Sequence, residues 1–128
     1  MTLIFLNGAG MRGGALHHQL QGAPLVQKAY SAAKYRFFSV ADRFPAMHSV
    51  TEGGHRVHGE IYRIPLETLH HHLLPAEPAE LELGTIELAD GRTCLATVLR
   101  KDFFGAPELI DISHIGDWRV YQAGILRS

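Results

Sequence analysis

The sequence predicts an α+β fold in which a small mixed β-sheet curls into a barrel with short helices flanking it. Three observations support this class: strand-like alternation over residues 56–62, leucines at helical spacing over residues 66–73, and a hairpin signal over residues 85–99. The 128 residues fit a single domain, 1–128, because that length and a 46% hydrophobic content can bury a core without disulfides or metals.

The first half of the chain predicts two strands with a short helix between them. Residues 2–6 form a short apolar run typical of a buried strand, and residues 15–21 have helical character up to a following Gly and Pro. Aromatic and β-branched residues favour a strand within residues 25–39. Residues 41–54 contain a proline and a Gly-Gly pair, so we expect a loop followed by a turn there.

The second half predicts a strand, a helix and a hairpin in that order. Residues 56–62 alternate polar with apolar or small side chains, as a strand with two different faces does. The leucine-rich helix that follows is expected to end at Pro75, which lacks the N–H that an interior helical position needs. Asp90-Gly91 is a favoured two-residue turn between the strands of the hairpin. The tail, 112–121, is expected to be a loop that enters a short helix.

The composition argues against several classes of partner. A net charge of −1 offers no electrostatic attraction to nucleic acid or to an anionic membrane, and no apolar run approaches the length of a membrane span. The single cysteine, Cys94, excludes an intrachain disulfide and is expected to be an inert core thiol. The N-terminus does not have the basic flank and long apolar segment of a signal peptide. Together these features predict a cytoplasmic protein.

The segment after the first strand, residues 7–14, contains four glycines and is the most informative part of the chain. Glycine has no Cβ to keep a ligand away, so successive N–H groups from Gly8 to Gly10 can converge on a small carboxylate. The candidate substrate-binding residues are these loop positions and one strand aromatic: Asn7, Gly8, Ala9, Gly10, Met11, Arg12 and Tyr35. The alternative is that the glycines only form a tight strand-to-helix connection, since neither common nucleotide fingerprint is present.

Two residues are candidates for proton transfer. His18 follows the glycine-rich loop, and its imidazole has an ordinary pKa close to neutrality, although a surface histidine is the alternative. Glu60 shares a strand face with other polar residues, so it is an acid/base group if that face lines a cavity and part of a solvated charge ladder if it does not. Arg12 is either a solvated loop charge or a second contact to an anion. Arg36 is expected to be a structural ion-pair partner, and Trp118 a core anchor.

The nine histidines do not predict a metal site. The internal tract 70–72 lacks Cys, Asp or Glu partners at the spacing of structural metal sites, and consecutive helical residues point in different directions. We therefore expect no cofactor and no native metal, with adventitious nickel binding as the alternative.

Several segments together resemble a known family. Residues 6–20 are similar to the glycine-rich entry motif of the γ-glutamylcyclotransferase-like superfamily, usually Tyr-Gly-Ser/Thr-Leu-x-x-Gly. Residues 11–20 resemble more closely a loop in the C-terminal domain of allophanate hydrolases. The similarity continues through further segments in the expected order: Lys34-Tyr35-Arg36, residues 52–54, residues 57–62, Pro65, residues 83–91 and residues 116–121.

The resemblance implies a fold, a chemistry and partners. The fold is a small β-barrel with a cavity at its mouth, where the glycine-rich loop holds a ligand carboxylate. The function expected is that of a small enzyme of urea or allophanate metabolism that decarboxylates N-carboxycarbamate, with His18 as proton donor. The expected partners are a small carboxylate-bearing molecule and either a second copy of the chain or an amidase.

Two alternative functions stay open. The first is a non-catalytic accessory module that keeps the anion pocket. The second is a γ-glutamyl amine cyclotransferase that uses Glu77 or Glu60 as its base. In cyclotransferases the base lies in a motif of the form Leu-Asp-x-x-Glu-Gly after the central helix, and only Glu77 is present at the corresponding place in residues 73–78.

Overall fold

The computed structural model describes residues 2–126 and has two open β-sheets with short helices around them. The strands are β1 (Thr2–Leu6), β2 (Leu25–Tyr30), β3 (Tyr35–Val40), β4 (Phe44–Ser49), β5 (His58–Ile64), β6 (Leu81–Glu87), β7 (Thr93–Leu99) and β8 (Leu109–Asp111). One sheet has five strands in the order β2-β5-β1-β7-β6, and the other has three in the order β4-β3-β8. The α+β class is confirmed, but the sheets do not close, so "barrel" describes them only loosely.

The first strand lies at the centre of the larger sheet. β1 pairs antiparallel with β5 and parallel with β7, which explains why its residues are apolar on both faces. Ile4, Phe5 and Leu6 are buried in the main core, as predicted. The glycine-rich loop therefore leaves the middle of the sheet rather than its edge.

The predicted hairpin is confirmed in β6 and β7. Gly91 has a φ of 90°, a left-handed value that glycine adopts without a steric penalty. Its N–H donates to the carbonyl of Leu88, and the Arg92 N–H donates to the Asp90 carboxylate. Together these bonds close the turn at the predicted position.

The predictions for residues 25–39 and 41–54 were wrong in part. The first stretch contains two strands, β2 and β3, that belong to different sheets. The second contains β4, which the presence of Pro45 had argued against. Since β4 is an edge strand of its sheet, the missing N–H of Pro45 is tolerated there. The predicted helix at 15–21 is only a 3₁₀ turn, His17–Leu20.

The leucine-rich helix does not end at Pro75, as predicted, but continues to Ala76. We call residues 66–76 α1; they form an α turn (Leu66–Thr68), a π turn (Leu69–Leu73) and a second α turn (Leu74–Ala76). In a regular α-helix the proline ring clashes with the carbonyl four residues earlier, and the wider π turn before Pro75 relieves that clash. Leu69 and Leu73 face the core.

The second helix, α2 (Trp118–Leu126), confirms the expected role of Trp118. The indole is 3% exposed, and its ring stacks on that of Tyr121 with centroids 5.6 Å apart. Cys94 is buried in the same core, as expected. A smaller apolar cluster lies between the three-stranded sheet and β6–β7. Within residues 2–126, no helix is long and apolar enough to cross a membrane.

Candidate active site

A cavity of about 220 Å³ lies between the glycine-rich loop, the start of β4 and the end of α1. Its lining residues are Leu6, Asn7, Gly8, Ala9, Gly10, Ala15, Leu16, Arg43, Phe44, Pro45, Ala76, Glu77, Pro78, Leu81 and Thr97. Among these described residues the charged side chains are those of Arg43 and Glu77. The cavity is therefore mostly apolar, with few groups that could orient a polar ligand.

The glycine-rich loop lines this cavity and contains backbone N–H groups without a partner in the described chain. The loop folds back on itself, because the Met11 N–H donates to the Gly8 carbonyl (3.0 Å) and the Leu16 N–H to the Ala9 carbonyl (2.9 Å). Within residues 2–126, the N–H groups of Gly8, Ala9 and Gly10 have no protein acceptor. Three neighbouring donors are thus available to an anion.

Close packing explains why glycine stands at two positions of the loop. A Cβ on Gly14 would collide with the backbone carbonyl of Ala9, and one on Gly8 would come within 2.6 Å of the Pro45 ring. The tight-connection hypothesis therefore holds at Gly14. It is compatible with anion binding, since Ala9 itself lines the cavity.

Glu77 is the acidic residue of the cavity. Its N–H donates to the carbonyl of Leu74 at the end of α1, and its backbone is extended, so Pro78 leaves the helix directly. Glu77 is half-buried, and no hydrogen bond or ion pair to its carboxyl is found in the described part of the chain. Burial without a compensating partner raises the pKa of this carboxyl to about 7. Near neutral pH such a group can either donate or accept a proton.

Glu60 lies beneath the loop and does not line the cavity. Its carboxylate accepts hydrogen bonds from the Arg12 N–H (2.9 Å), the Tyr62 hydroxyl (2.7 Å) and the Arg119 guanidinium (3.1 Å). Burial by itself would raise the pKa of Glu60, but these hydrogen bonds outweigh it and lower the pKa. With 0% exposure, Glu60 is not part of a solvated charge ladder, so that alternative is wrong.

The two histidines after the loop are not among the residues that line the cavity. His18 is exposed, and its Nε2 lies 3.0 Å from the side-chain amide nitrogen of Gln19. His17 is half-buried and donates from Nδ1 to the Gly10 carbonyl (3.0 Å). Its ring also makes an edge contact with Tyr62, with centroids 5.6 Å apart. Neither imidazole lines the cavity.

Three further candidate residues lie apart from the cavity. Met11 is fully buried in the core, and the Arg12 side chain is exposed. The Tyr35 hydroxyl accepts a hydrogen bond from the Glu87 N–H (2.8 Å) and lines a separate hollow. Arg36 is confirmed as an ion-pair partner, with Nη2 2.6 Å from the Asp111 carboxylate.

The cavity thus brings together the first four loop candidates, Asn7, Gly8, Ala9 and Gly10, with a glutamate that the sequence had offered only for the cyclotransferase alternative. The Asn7 side-chain amide lies 3.1 Å from the sulfur of Met47, which fixes its orientation.

Residues 2–123 match the family described as the allophanate hydrolase C-terminal domain. The chain belongs to this family. The resemblance inferred from the sequence is therefore confirmed, and the chain is a small domain related to an enzyme. No curated protein matches the chain.

Several solved structures are similar to this chain. A protein specific to uropathogenic Escherichia coli is 38% identical over 95% of each chain, with a TM-score of 0.87. Kluyveromyces lactis allophanate hydrolase has a TM-score of 0.89 and 21% identity over 97% of this chain. This chain covers only 21% of that enzyme. A mouse AIG2-like protein has the same fold, with a TM-score of 0.67 and 18% identity over 84% of this chain and 85% of that one.

Arg43 is a charged cavity residue that the sequence analysis did not predict. It lies within residues 41–54, where we had expected a loop followed by a turn, so nothing placed its side chain beside a ligand. Glu77 carried a better signal: it is a carboxylate between two prolines at the end of an amphipathic helix.

Proposed function

We propose that this chain is an enzyme that decarboxylates a small carboxylated amide of the N-carboxycarbamate type. The observation that supports this most strongly is a single cavity lined both by three unpaired backbone amides and by a glutamate whose pKa is raised to about 7. The amides of Gly8, Ala9 and Gly10 would hold one carboxylate of the substrate. K. lactis allophanate hydrolase, which has the same fold in part of its length, suggests the substrate type.

The proposed reaction needs one proton donor. The bond between nitrogen and one carboxylate carbon breaks, carbon dioxide leaves, and the electron pair stays on the nitrogen. Protonated Glu77 donates its proton to that nitrogen, which yields carbamate, and its carboxylate is reprotonated from water. Because negative charge develops on the nitrogen as the bond breaks, a donor of near-neutral pKa lowers the barrier.

Glu77 is preferred here to His18 as the donor. Glu77 lines the cavity and has no competing hydrogen bond within residues 2–126, whereas the His18 imidazole is exposed beside Gln19. The His18 hypothesis remains an alternative that the same experiment tests.

The experiment measures carbon dioxide release from freshly generated N-carboxycarbamate. Glu77→Gln is expected to lower the rate by about 100-fold, the usual scale for loss of general acid catalysis. The matched control is Glu67→Gln, an exposed glutamate of the same helix, which should leave the rate unchanged. If only His18→Ala lowers the rate of carbon dioxide release, His18 rather than Glu77 is the proton donor. Rates equal to the buffer background for the wild-type protein would overturn the proposal.

The pH profile gives an independent check. The protonated form of Glu77 is the active form in decarboxylation, so the rate should fall as the pH rises through about 7. A γ-glutamyl amine cyclotransferase would instead need the carboxylate as base, and its rate should rise through the same range. Release of 5-oxoproline from a γ-glutamyl amine tests that second function, which the position of Glu77 directly after α1 favours. Binding of a dicarboxylate without turnover of either substrate would favour an accessory module.

A further inference from the structure

We infer that Arg43 is a specificity-determining residue that binds a second carboxylate of the ligand, so that the cavity selects small dicarboxylates over monocarboxylates. This inference rests on the proposed function, since it requires the glycine-rich loop to hold the first carboxylate. The observations behind it are the position of Arg43 at the cavity wall, its ion pair with Glu80, and the charges of the other lining residues.

The backbone places Arg43 at the cavity by way of a tight turn. Ala41 and Asp42 have φ values of 51° and 60°, which non-glycine residues rarely adopt, and the Arg43 N–H closes the turn onto the Val40 carbonyl (3.0 Å). The Asp42 carboxylate accepts hydrogen bonds from the hydroxyls of Ser39 (2.7 Å) and Tyr121 (2.6 Å). Such a conformation persists only when its surroundings hold it in place, as these two bonds do.

The side chain of Arg43 is held loosely at the cavity edge. Its Nη2 lies 3.1 Å from Glu80 Oε2, and the guanidinium lies 5.1 Å from the centroid of the Phe44 ring. The Arg43 side chain is 59% exposed, and an exposed ion pair of this kind contributes little to stability. Glu80 does not line the cavity, so a ligand carboxylate inside it can replace Glu80 as the partner of the guanidinium.

The arrangement gives the cavity two places for negative charge. The amides of Gly8 to Gly10 serve one, and Arg43, the single cation among the described lining residues, serves the other. The other charged lining residue is Glu77, and burial raises the pKa of its carboxyl to about 7. It therefore repels a second carboxylate less than a fully ionised glutamate would. A monocarboxylate satisfies one place, and a short dicarboxylate satisfies both.

Isothermal titration calorimetry with two probes tests this inference. Malonate carries two carboxylates, and malonamate has the same shape with one of them replaced by an amide. The wild-type protein should bind malonate about tenfold more tightly, the scale of one charge-assisted hydrogen bond pair. Arg43→Gln should weaken malonate binding by about the same factor and leave malonamate binding unchanged.

Two further variants sharpen the result. Glu80→Gln frees the guanidinium and should strengthen malonate binding, so this variant tests the inference even if Arg43→Gln does not fold. Arg92→Gln removes an arginine of similar exposure, also paired with an acidic residue but in the distant hairpin turn, and should change neither affinity.

The outcomes separate this inference from the proposal on which it depends. If both probes bind the wild-type protein and Arg43→Gln keeps its preference for malonate, Arg43 does not select the ligand and the anion-binding cavity stands. If neither probe binds the wild-type protein, the anion-binding cavity and this inference both fail.

Discussion

Glu60 is the residue that joins the loop to the rest of the molecule. Its carboxylate on β5 receives donors from the glycine-rich loop at Arg12 and from α2 at Arg119. Arg119 also donates to the carbonyl of Arg12 at 3.3 Å. A buried carboxylate with several donors stabilises a fold chiefly because removing it leaves those donors unsatisfied. Glu60 therefore holds the loop in place from behind the cavity.

Glu60→Gln is expected to destabilise the protein by about 3 kcal/mol, because an amide offers one acceptor oxygen where the carboxylate offers two. Urea denaturation measures the free energy of unfolding. The control is Glu87→Gln, which removes an exposed ion pair with Lys34 and should cost less than about 1 kcal/mol. An equal decrease in the free energy of unfolding in the two variants would contradict a structural role for Glu60.

The pH dependence of stability follows from the same carboxylate. Since its hydrogen bonds lower the pKa of Glu60 below the ordinary 4.5, its contribution is fully present above that value. The contribution is lost as the pH falls below 4.5 through the pKa of the folded state. The difference in stability between wild type and Glu60→Gln should therefore shrink in that acidic range.

Among the elements, α1 determines where Glu77 lies. The π turn, Leu69–Leu73, contains one residue more per turn than an α-helix does, and it carries two buried leucines, Leu69 and Leu73. Each added residue rotates the following chain by about 100° and advances it about 1.5 Å. The extra residue in this turn thus sets the direction in which α1 ends and delivers Glu77 to the cavity.

Deletion of His71, an exposed residue of the π turn, should convert the turn to α-helix and move Glu77 out of the cavity. The protein should stay folded, because Leu69 and Leu73 still share one face at a spacing of three. Titration by carbon-13 NMR should then show the pKa of Glu77 falling from about 7 toward its ordinary value of 4.5. His71→Ala keeps the length of the turn and should leave that pKa raised. A raised pKa in the folded deletion variant would contradict this account.

At the scale of the whole molecule, β1 connects distant parts of the chain. It pairs with β5 and, in parallel, with β7, so the central sheet forms only when the first strand meets segments much later in the sequence. Sheets built from such distant contacts fold slowly and as a unit. Cys94 lies on β7 within the main core, so exposure of its thiol is a probe for the opening of this sheet.

Alkylation of the single thiol should therefore follow global unfolding. Burial raises the pKa of the Cys94 thiol and shields it, so labelling in the native state should be slow. The free energy of exposure from labelling rates should match the free energy of unfolding from urea denaturation, with the same dependence on urea. Labelling that does not change with urea would mean that β7 opens locally, which would contradict a single cooperative sheet.

Much of this protein can be read from local patterns. Hydrophobic periodicity and the Asp90-Gly91 turn depend on neighbouring residues, and the strand β5, the helix α1 and the hairpin that they predict are present, whereas the helix predicted at 15–21 is only a 3₁₀ turn. The family was also recognisable, because its motifs occur in order along nearly the whole chain. Boundaries were less secure where two local signals disagreed, as at Pro45 and Pro75, since an edge position and a π turn accommodate proline in ways that local sequence does not reveal.

Which residues line the cavity depends instead on contacts between distant segments of the chain. The loop at Gly8, the turn before Arg43 and the end of α1 at Glu77 come together only through packing of the two sheets and the helix. Burial, and with it the raised pKa of Glu77 and the lowered pKa of Glu60, is likewise a property of the folded chain. Covalent neighbours govern backbone preferences over a few residues, whereas desolvation and hydrogen bonding depend on what lies nearby in space. For that reason the chemistry available to each side chain emerges only when the chain is folded.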